Sequence, residues 1–315
     1  MRYKKFQKAN VDISVISVGT WAIGGKNYGP VDRNDSIAAI HAMIDAGVNH
    51  IDTAPIYGDG ASERLVGEAL KGIRDKVYVT AKFGTYHSGY TGEVIRDAHY
   101  DSVLAFCEKS LERLGLDYID FYFLHWPDPQ TSVEETMAAM KKLKEQGKIR
   151  FIGVSNHTIE QMEEVQKYID LDVIQPPFSM VNQSAREVIN WAYERGISTM
   201  TYGSLGAGIL TGTIRSLPHF DPNDTRVRFY DFYREPKFSK VMELLKLLDK
   251  ISYKYKRPLS QIVINWTTQQ PFVGTALVGV RNPKEAQENC AAFDWQLENG
   301  DIELITKALN DLKIG

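Results

Sequence analysis

Short runs of β-branched and aromatic residues recur along the chain. Between them lie longer stretches whose apolar positions fall three or four residues apart. Val15–Val18, Val48–Asp52, Val77–Lys82 and Ile119–His125 are such runs, and Arg150–Ser155, Val173–Gln175, Ile197–Thr201 and Thr275–Val278 complete the set. They are largely apolar and most end in polar residues, as strands buried in a parallel sheet should. In the intervening stretches Ile37, Ile40, Met43 and Ile44 share one helical face. So do Val103, Phe106, Cys107, Leu111 and Leu114, and later Val188, Ile189 and Ala192. Ser132 with Glu135, and Thr158 with Gln161, have the capping-box spacing that satisfies free amides at a helix start. Gly47, Gly115, Gly147 and Gly196 stand where these helices should stop.

The order is strand then helix, eight times over. Alternation of this kind predicts a parallel sheet, and eight units predict its closure into an α/β (β/α)8 TIM barrel. No Pro/Gly/Ser-rich linker interrupts the repeat, so residues 1–315 are expected to form one barrel domain. A barrel of this type takes about 250 residues, which leaves a surplus. Much of it falls in residues 2–14, which read as an N-terminal β-hairpin, in residues 203–237, a long loop after strand seven, and in the C-terminal tail. Loops of that length in compact domains are usually functional.

Composition narrows the function. The chain is 43% hydrophobic and 24% charged, near the globular average. Lys and Arg number 37 against 40 for Asp and Glu, a net charge of −3. No broad basic field exists for nucleic acid or an anionic membrane. No apolar run approaches membrane-spanning length, and the N-terminal residues have no apolar signal-peptide core. Two distant cysteines, Cys107 and Cys290, suit neither a disulfide framework nor a CxxC site. A cytoplasmic protein is expected. The Asn156 and Asn182 sequons therefore carry little weight. Zinc-protease, P-loop and GxGxxG fingerprints are missing, and Gly203–Gly208 has the wrong glycine spacing. No metal site is expected.

Active sites of such barrels lie at the C-terminal ends of the strands. Three consecutive strands end there in ionisable residues: Asp52, Lys82 and His125, with Tyr57 in the loop after Asp52. A free tyrosine has a pKa of about 10, too high for easy proton exchange at neutral pH. A lysine cation beside it favours the phenolate. Unit charges ~4 Å apart at an effective dielectric of ~20 interact by about 4 kcal/mol, enough to matter. Asp52 would keep Lys82 charged and aimed, and His125 would orient a substrate oxygen. The set suits proton donation to a carbonyl oxygen as hydride reaches its carbon. Trp21, Tyr57, Tyr86 and Trp126 suggest an aromatic-walled entrance, suited to sugars or to aromatic aldehydes, and the expected partner is a small-molecule carbonyl or a sugar or polyol.

These residues sit in longer segments that resemble the aldo/keto reductase family along nearly the whole chain. The segments are GTWAIGG (19–25), GVNHIDTAPIYGDGASERLVGEAL (47–70), SLERLGLDYIDFYFLHWPDP (110–129), GKIRFIGVSN (147–156), IQPPFS (174–179), YGSLGAGILTG (202–212) and GVRNPKEAQEN (279–289). The nearest likeness is to bacterial general-stress and inositol-catabolism-type reductases. The resemblance implies NADP(H) bound across the barrel mouth, with Tyr57 as general acid, tuned by Lys82 and Asp52, and His125 beside it. It places nicotinamide contacts on Asp52, Ser155, Asn156 and Gln175, with Tyr202 stacking on the ring and Thr20 and Trp21 nearby. It places the pyrophosphate and adenosine on Ser204, Leu205, Gly206, Gly208 and Leu210, then on Gly279, Arg281, Gln287, Glu288 and Asn289. Three positions depart from the branch pattern. Ala207 and Thr213 stand where basic residues are common, and Glu285 where Gln or Arg is common. These weaken the expected grip on a 2′-phosphate. Arg281 remains as the principal cation, with Arg226 and Arg228 as helpers. NADP(H) is favoured, and NAD(H) stays open because a carboxylate near the adenosine ribose favours it.

Overall fold

The structure, a computed structural model, describes residues 1–25, 31–89, 91–217, 219 and 230–314. The proposed helpers Arg226 and Arg228 lie outside the described residues. All eight expected strands form: β3 (Ile16–Gly19), β4 (His50–Asp52), β5 (Tyr78–Phe83), β8 (Ile119–Leu124), β9 (Ile149–Ser155), β10 (Val173–Gln175), β11 (Ser198–Thr201) and β12 (Thr275–Gly279). They pair in parallel in that order, and β12 pairs back onto β3 to close the barrel. Glycines 47, 115, 147 and 196 take left-handed φ of 93°, 63°, 73° and 67° at the helix ends, as expected. Thr158 and Gln161 form the reciprocal capping box. Only half of the other box forms. Ser132 accepts from the Glu135 amide, but the Glu135 carboxylate instead accepts from the Tyr100 amide at the start of the Tyr100–Leu114 helix.

Residues 2–14 contain the expected hairpin, β1 (Tyr3–Phe6) antiparallel to β2 (Val11–Ser14). Its Phe6, Val11 and Ile13 pack with Phe121, Phe123, Val173 and Met200. Lys4 Nζ donates to the Thr268, Gln270 and Val273 carbonyls at 2.9, 2.8 and 2.6 Å. Burial, with Arg2 adding to it, lowers its pKa to about 8. The hairpin leads directly into the first barrel strand, so it stoppers the N-terminal end. Above this plug His50 spans Ser17 and Thr80 at 2.7 and 2.8 Å. Burial and the Lys82 charge hold its pKa down to about 3, so it is neutral inside the barrel.

Two features lie outside the eight-unit pattern. A second hairpin, β6 (Thr85–His87) with β7 (Val94–Arg96), stands between β5 and its helix. Its strands are three residues each, too short for alternation to show. The long connection after β11 ends in a Lys237–Tyr255 helix, ahead of the Leu259–Thr268 helix. Every residue of the latter is buried, as an element enclosed on all sides must be. The Lys237–Tyr255 helix packs outside it, against the C-terminal Asn299–Leu312 helix. Among the described residues no helix is long and apolar enough to cross a membrane.

Candidate active site

Strands β4, β5 and β8 are neighbours, so Asp52, Lys82 and His125 come side by side at the end opposite the plug. Lys82 is fully buried and Asp52 nearly so. Lys82 Nζ lies 2.7 Å from each Asp52 carboxylate oxygen, 3.0 Å from the Thr53 carbonyl and 3.3 Å from Tyr57 Oη. Gln175 Nε2 also donates to Asp52 Oδ1 at 2.7 Å. Burial lowers the Lys82 pKa, and the Asp52 charge and hydrogen bonds oppose that shift. An ammonium within hydrogen-bond reach of a phenol oxygen favours the phenolate over the phenol in general, and Lys82 Nζ is so placed toward Tyr57 Oη.

The Tyr57 loop is shaped by local backbone chemistry. Gly58, Asp59 and Gly60 have φ of 62°, 51° and 84° in succession. A Cβ on Gly58 would fall 2.0 Å from the Gly24 carbonyl oxygen, so no other residue fits there. This close approach seats the loop on the Ala22–Gly24 turn, and the Trp21 and Tyr57 rings lie 6.4 Å apart. Thr20 donates to the Asp52 carbonyl at 2.7 Å and accepts from Ser62 at 2.6 Å. Ser62 also meets the Thr53 hydroxyl at 2.8 Å. Thr20 is thus fully buried, with its hydroxyl committed to the scaffold.

His125 meets the Tyr57 ring edge to face, with centroids 5.9 Å apart at 82°. Burial and the nearby Lys82 charge hold its pKa well below the usual histidine range. Its Nδ1 is buried without a hydrogen-bond partner among the described residues. The His125 carbonyl accepts from Asn156 Nδ2 at 3.0 Å, and Asn156 Oδ1 accepts from Tyr202 Oη at 2.8 Å. Ser155 Oγ donates to the Gln175 carbonyl at 2.8 Å. Thus Ser155, Asn156, Gln175 and Tyr202 form one polar cluster beside Asp52 and His125.

The remaining expected contacts spread outward. Ser204, Gly206 and Leu210 are buried and Leu205 is half-buried. A Cβ on Gly208 would meet nothing within 4 Å, and one on Gly279 would meet its first neighbours only at 4.0 Å. Gln287 is exposed, Asn289 is buried, and Glu288 accepts from the Ser260 hydroxyl. Arg281 is not free. Its Nη2 and Nε donate to Glu285 Oε1 at 2.8 and 3.2 Å, and its amide donates to Glu285 Oε2 at 2.8 Å. The aromatic residues do not form one continuous wall. Trp21, Tyr57 and His125 are in ring contact. Trp126, under Arg96, lines a cavity of about 390 Å³ with Asn156, His157 and Gln175. Tyr86, against Phe106, lines another of about 410 Å³ with Pro55, Ile56 and Asp59. The Glu63–Arg113 ion pair behind the Tyr57 loop has no counterpart in the sequence reading. Its sequence signal is a glutamate on the helix face that Val66 and Ala69 share.

A closed parallel barrel carrying an Asp–Tyr–Lys–His cluster at its C-terminal mouth, with no Rossmann domain among the described residues, fits one class of protein. The chain belongs to the aldo/keto reductase family, which it matches over residues 15–310. It is 37% identical to the aldo-keto reductase YhdN of Bacillus subtilis, covering 99% of this chain and 94% of that one. It is 32% identical to the NADH-specific methylglyoxal reductase of Escherichia coli, covering 98% and 99%. The solved structure of the glycerol dehydrogenase AKR11B4 from Gluconobacter oxydans superposes with a TM-score of 0.89 at 31% identity, covering 100% and 96%.

Proposed function

We propose that this protein interconverts an aldehyde or ketone with its alcohol, using NADP(H) by preference and Tyr57 as general acid and base. The observation that carries the reading is the pairing of Lys82 with Tyr57 beside a neutral His125. Three groups in the cluster could give a proton to a substrate oxygen, and one of them, the Lys82 ammonium, is fully buried with its N–H groups committed to Asp52 and the Thr53 carbonyl. His125 holds no second proton near neutrality, because burial and Lys82 oppose its charging. That leaves Tyr57, whose anion the Lys82 ammonium stabilises. Asp52 and the Thr53 carbonyl hold that ammonium in place. A neutral His125 still offers one N–H to the substrate oxygen, which fixes its direction toward Tyr57.

The residues present fit a dinucleotide. Ser155, Asn156 and Gln175 offer the mixed donors and acceptors a planar carboxamide needs, beside the Tyr202 ring. The open space over Gly208 suits an extended ligand leaving the mouth. When bound, the nicotinamide supplies or accepts the hydride. The chain's own residues orient the carbonyl and move the proton.

A second reading, an NAD-preferring sugar or polyol dehydrogenase, is favoured by one observation. Glu285 already neutralises Arg281, the principal cation expected for a 2′-phosphate. A relative named as NADH-specific and a neighbour named as a glycerol dehydrogenase point the same way. A nucleotide-sensing subunit without turnover is disfavoured by the intact four-residue cluster. We further place the chain near the general-stress and inositol-catabolism-type branch on its motifs, working as a single barrel domain. Two free cysteines, one of them buried, suit the cytoplasm.

Titration with NADPH and NADH, followed by tryptophan fluorescence, tests this reading. Wild type is expected to bind both, NADPH the more tightly. Glu285→Gln releases Arg281 and should tighten NADPH about tenfold, on the scale of one charge-assisted hydrogen bond, with NADH unchanged. NADH binding far tighter than NADPH in both forms would sink the Arg281 assignment. Binding of neither nucleotide would sink the function.

A further inference from the structure

Behind the Tyr57 loop lies an ion pair, fully buried at Glu63 and 20% exposed at Arg113, that stands apart from the cluster at the mouth and the expected nucleotide path; Arg113 also lines the cavity that holds Tyr86. Glu63 sits in the first turn of the Ala61–Ala69 helix, three residues beyond Gly60, and is fully buried. Arg113 comes from the last turn of the Tyr100–Leu114 helix and donates from Nε to Glu63 Oε2. The second carboxylate oxygen of Glu63 is buried without a hydrogen-bond partner among the described residues, and Arg113 is the main partner of the group, with Ser110 and the Arg64 charge beside it. The two helices have no slack between them. A Cβ on Gly67 would fall 2.3 Å from the Leu114 carbonyl oxygen.

Arg113 also roofs the loop. A Cβ on Gly60 would lie 2.6 Å from Arg113 Cδ. On the other side, Gly58 is pressed onto Gly24. The residue next to Glu63, Ser62, donates its amide to the Tyr57 carbonyl at 3.2 Å. The chain from Tyr57 to Gly60 is therefore held between a backbone floor and an arginine roof. Apolar residues could join two helices as firmly as a buried ion pair does. What the pair adds is direction, since the planar guanidinium fixes where its own stem lies.

We propose that the Glu63–Arg113 pair is a positioning device for Tyr57, setting the 57–60 loop so that the phenol oxygen stays within reach of Lys82 Nζ. The inference rests on the reading of Tyr57 as proton donor. Small displacements of a reacting group cost up to about a hundredfold in rate, so the pair acts on turnover through the loop it holds.

The test uses Arg113→Lys, Arg113→Met and Glu63→Gln in the full chain. Three quantities are read: turnover of a carbonyl, NADPH affinity by tryptophan fluorescence, and ionisation of Tyr57. The last is the near-ultraviolet absorbance difference between each protein and its Tyr57→Phe counterpart during alkaline titration. Both Arg113 variants are expected to lose roughly ten- to a hundredfold in turnover. Their NADPH affinity should stay near wild type, while Tyr57 ionises at higher pH as its oxygen drifts from Lys82. Glu63→Gln, which keeps an acceptor for the guanidinium, should retain most of the turnover. Folded Arg113 variants with wild-type turnover and an unmoved Tyr57 titration would overturn the proposal. So would a parallel fall in turnover, nucleotide affinity and melting temperature, or failure of both Arg113 variants to fold, since either assigns the pair to stability alone. If Tyr57→Phe leaves wild-type turnover intact, the functional reading has failed. The Tyr57 titration then still decides whether the pair positions the ring.

Discussion

Tyr57→Phe is expected to lower carbonyl turnover by about two to four orders of magnitude, the usual contribution of a positioned general acid. The loss should fall on turnover and spare the fold. Phenylalanine keeps the ring that meets Trp21 and His125. Only the hydroxyl 3.3 Å from Lys82 Nζ disappears. Nucleotide affinity by fluorescence should remain near wild type. Neutral His125 is a poor substitute donor, so no alkaline or acidic condition in the folding range should restore the rate. Wild-type turnover across a carbonyl panel in a folded Tyr57→Phe variant would rule out the proposed proton path.

Lys82→Met should damage both stability and turnover, and the two losses can be separated. Removing the ammonium takes the cation from the buried Asp52 carboxylate and leaves it with the neutral Gln175 Nε2 donor. Breaking a buried ion pair this way costs about 3–5 kcal/mol. Denaturant unfolding should show that loss. Adding Asp52→Asn removes the stranded charge, so the double variant should regain much of the stability. Turnover should stay lost in both, because neither has a cation beside Tyr57. A double variant that recovers turnover along with stability would mean that Lys82 serves the fold and not the chemistry.

The barrel was legible because each strand carries its own signal. A run such as Ile119–Leu124 is buried at every position, and the next helix start and glycine stop are local features too. The Asp52, Lys82 and His125 juxtaposition was legible for the same reason, since residues at the ends of successive strands in a closed parallel barrel must be neighbours. What escaped depends on long-range pairing. β6 and β7 are too short to show a period, and only their mutual register makes them a hairpin. The Lys237–Tyr255 helix does carry apolar residues at Val241, Leu244, Leu245 and Leu248, but it follows a segment dominated by turn residues. Arg281 read as an available cation, because charge alone does not say that Glu285, one helical turn on, captures it. Thr20 read as a cofactor neighbour from its strand-end position, yet its side chain faces Ser62 and the Asp52 carbonyl. Tyr86 and Trp126 read as parts of one wall, while the hairpin and the Arg96 guanidinium carry them to separate cavities.

The most direct test of the account follows the hydride itself. NADPH deuterated at one or the other face of nicotinamide C4 is supplied with a carbonyl substrate, and the product alcohol is analysed by mass spectrometry. One deuterium should appear at the former carbonyl carbon from one face and none from the other, as a single fixed nicotinamide orientation requires. Alcohol formed without deuterium from either face, or nucleotide bound with no alcohol formed from any carbonyl, would contradict the account.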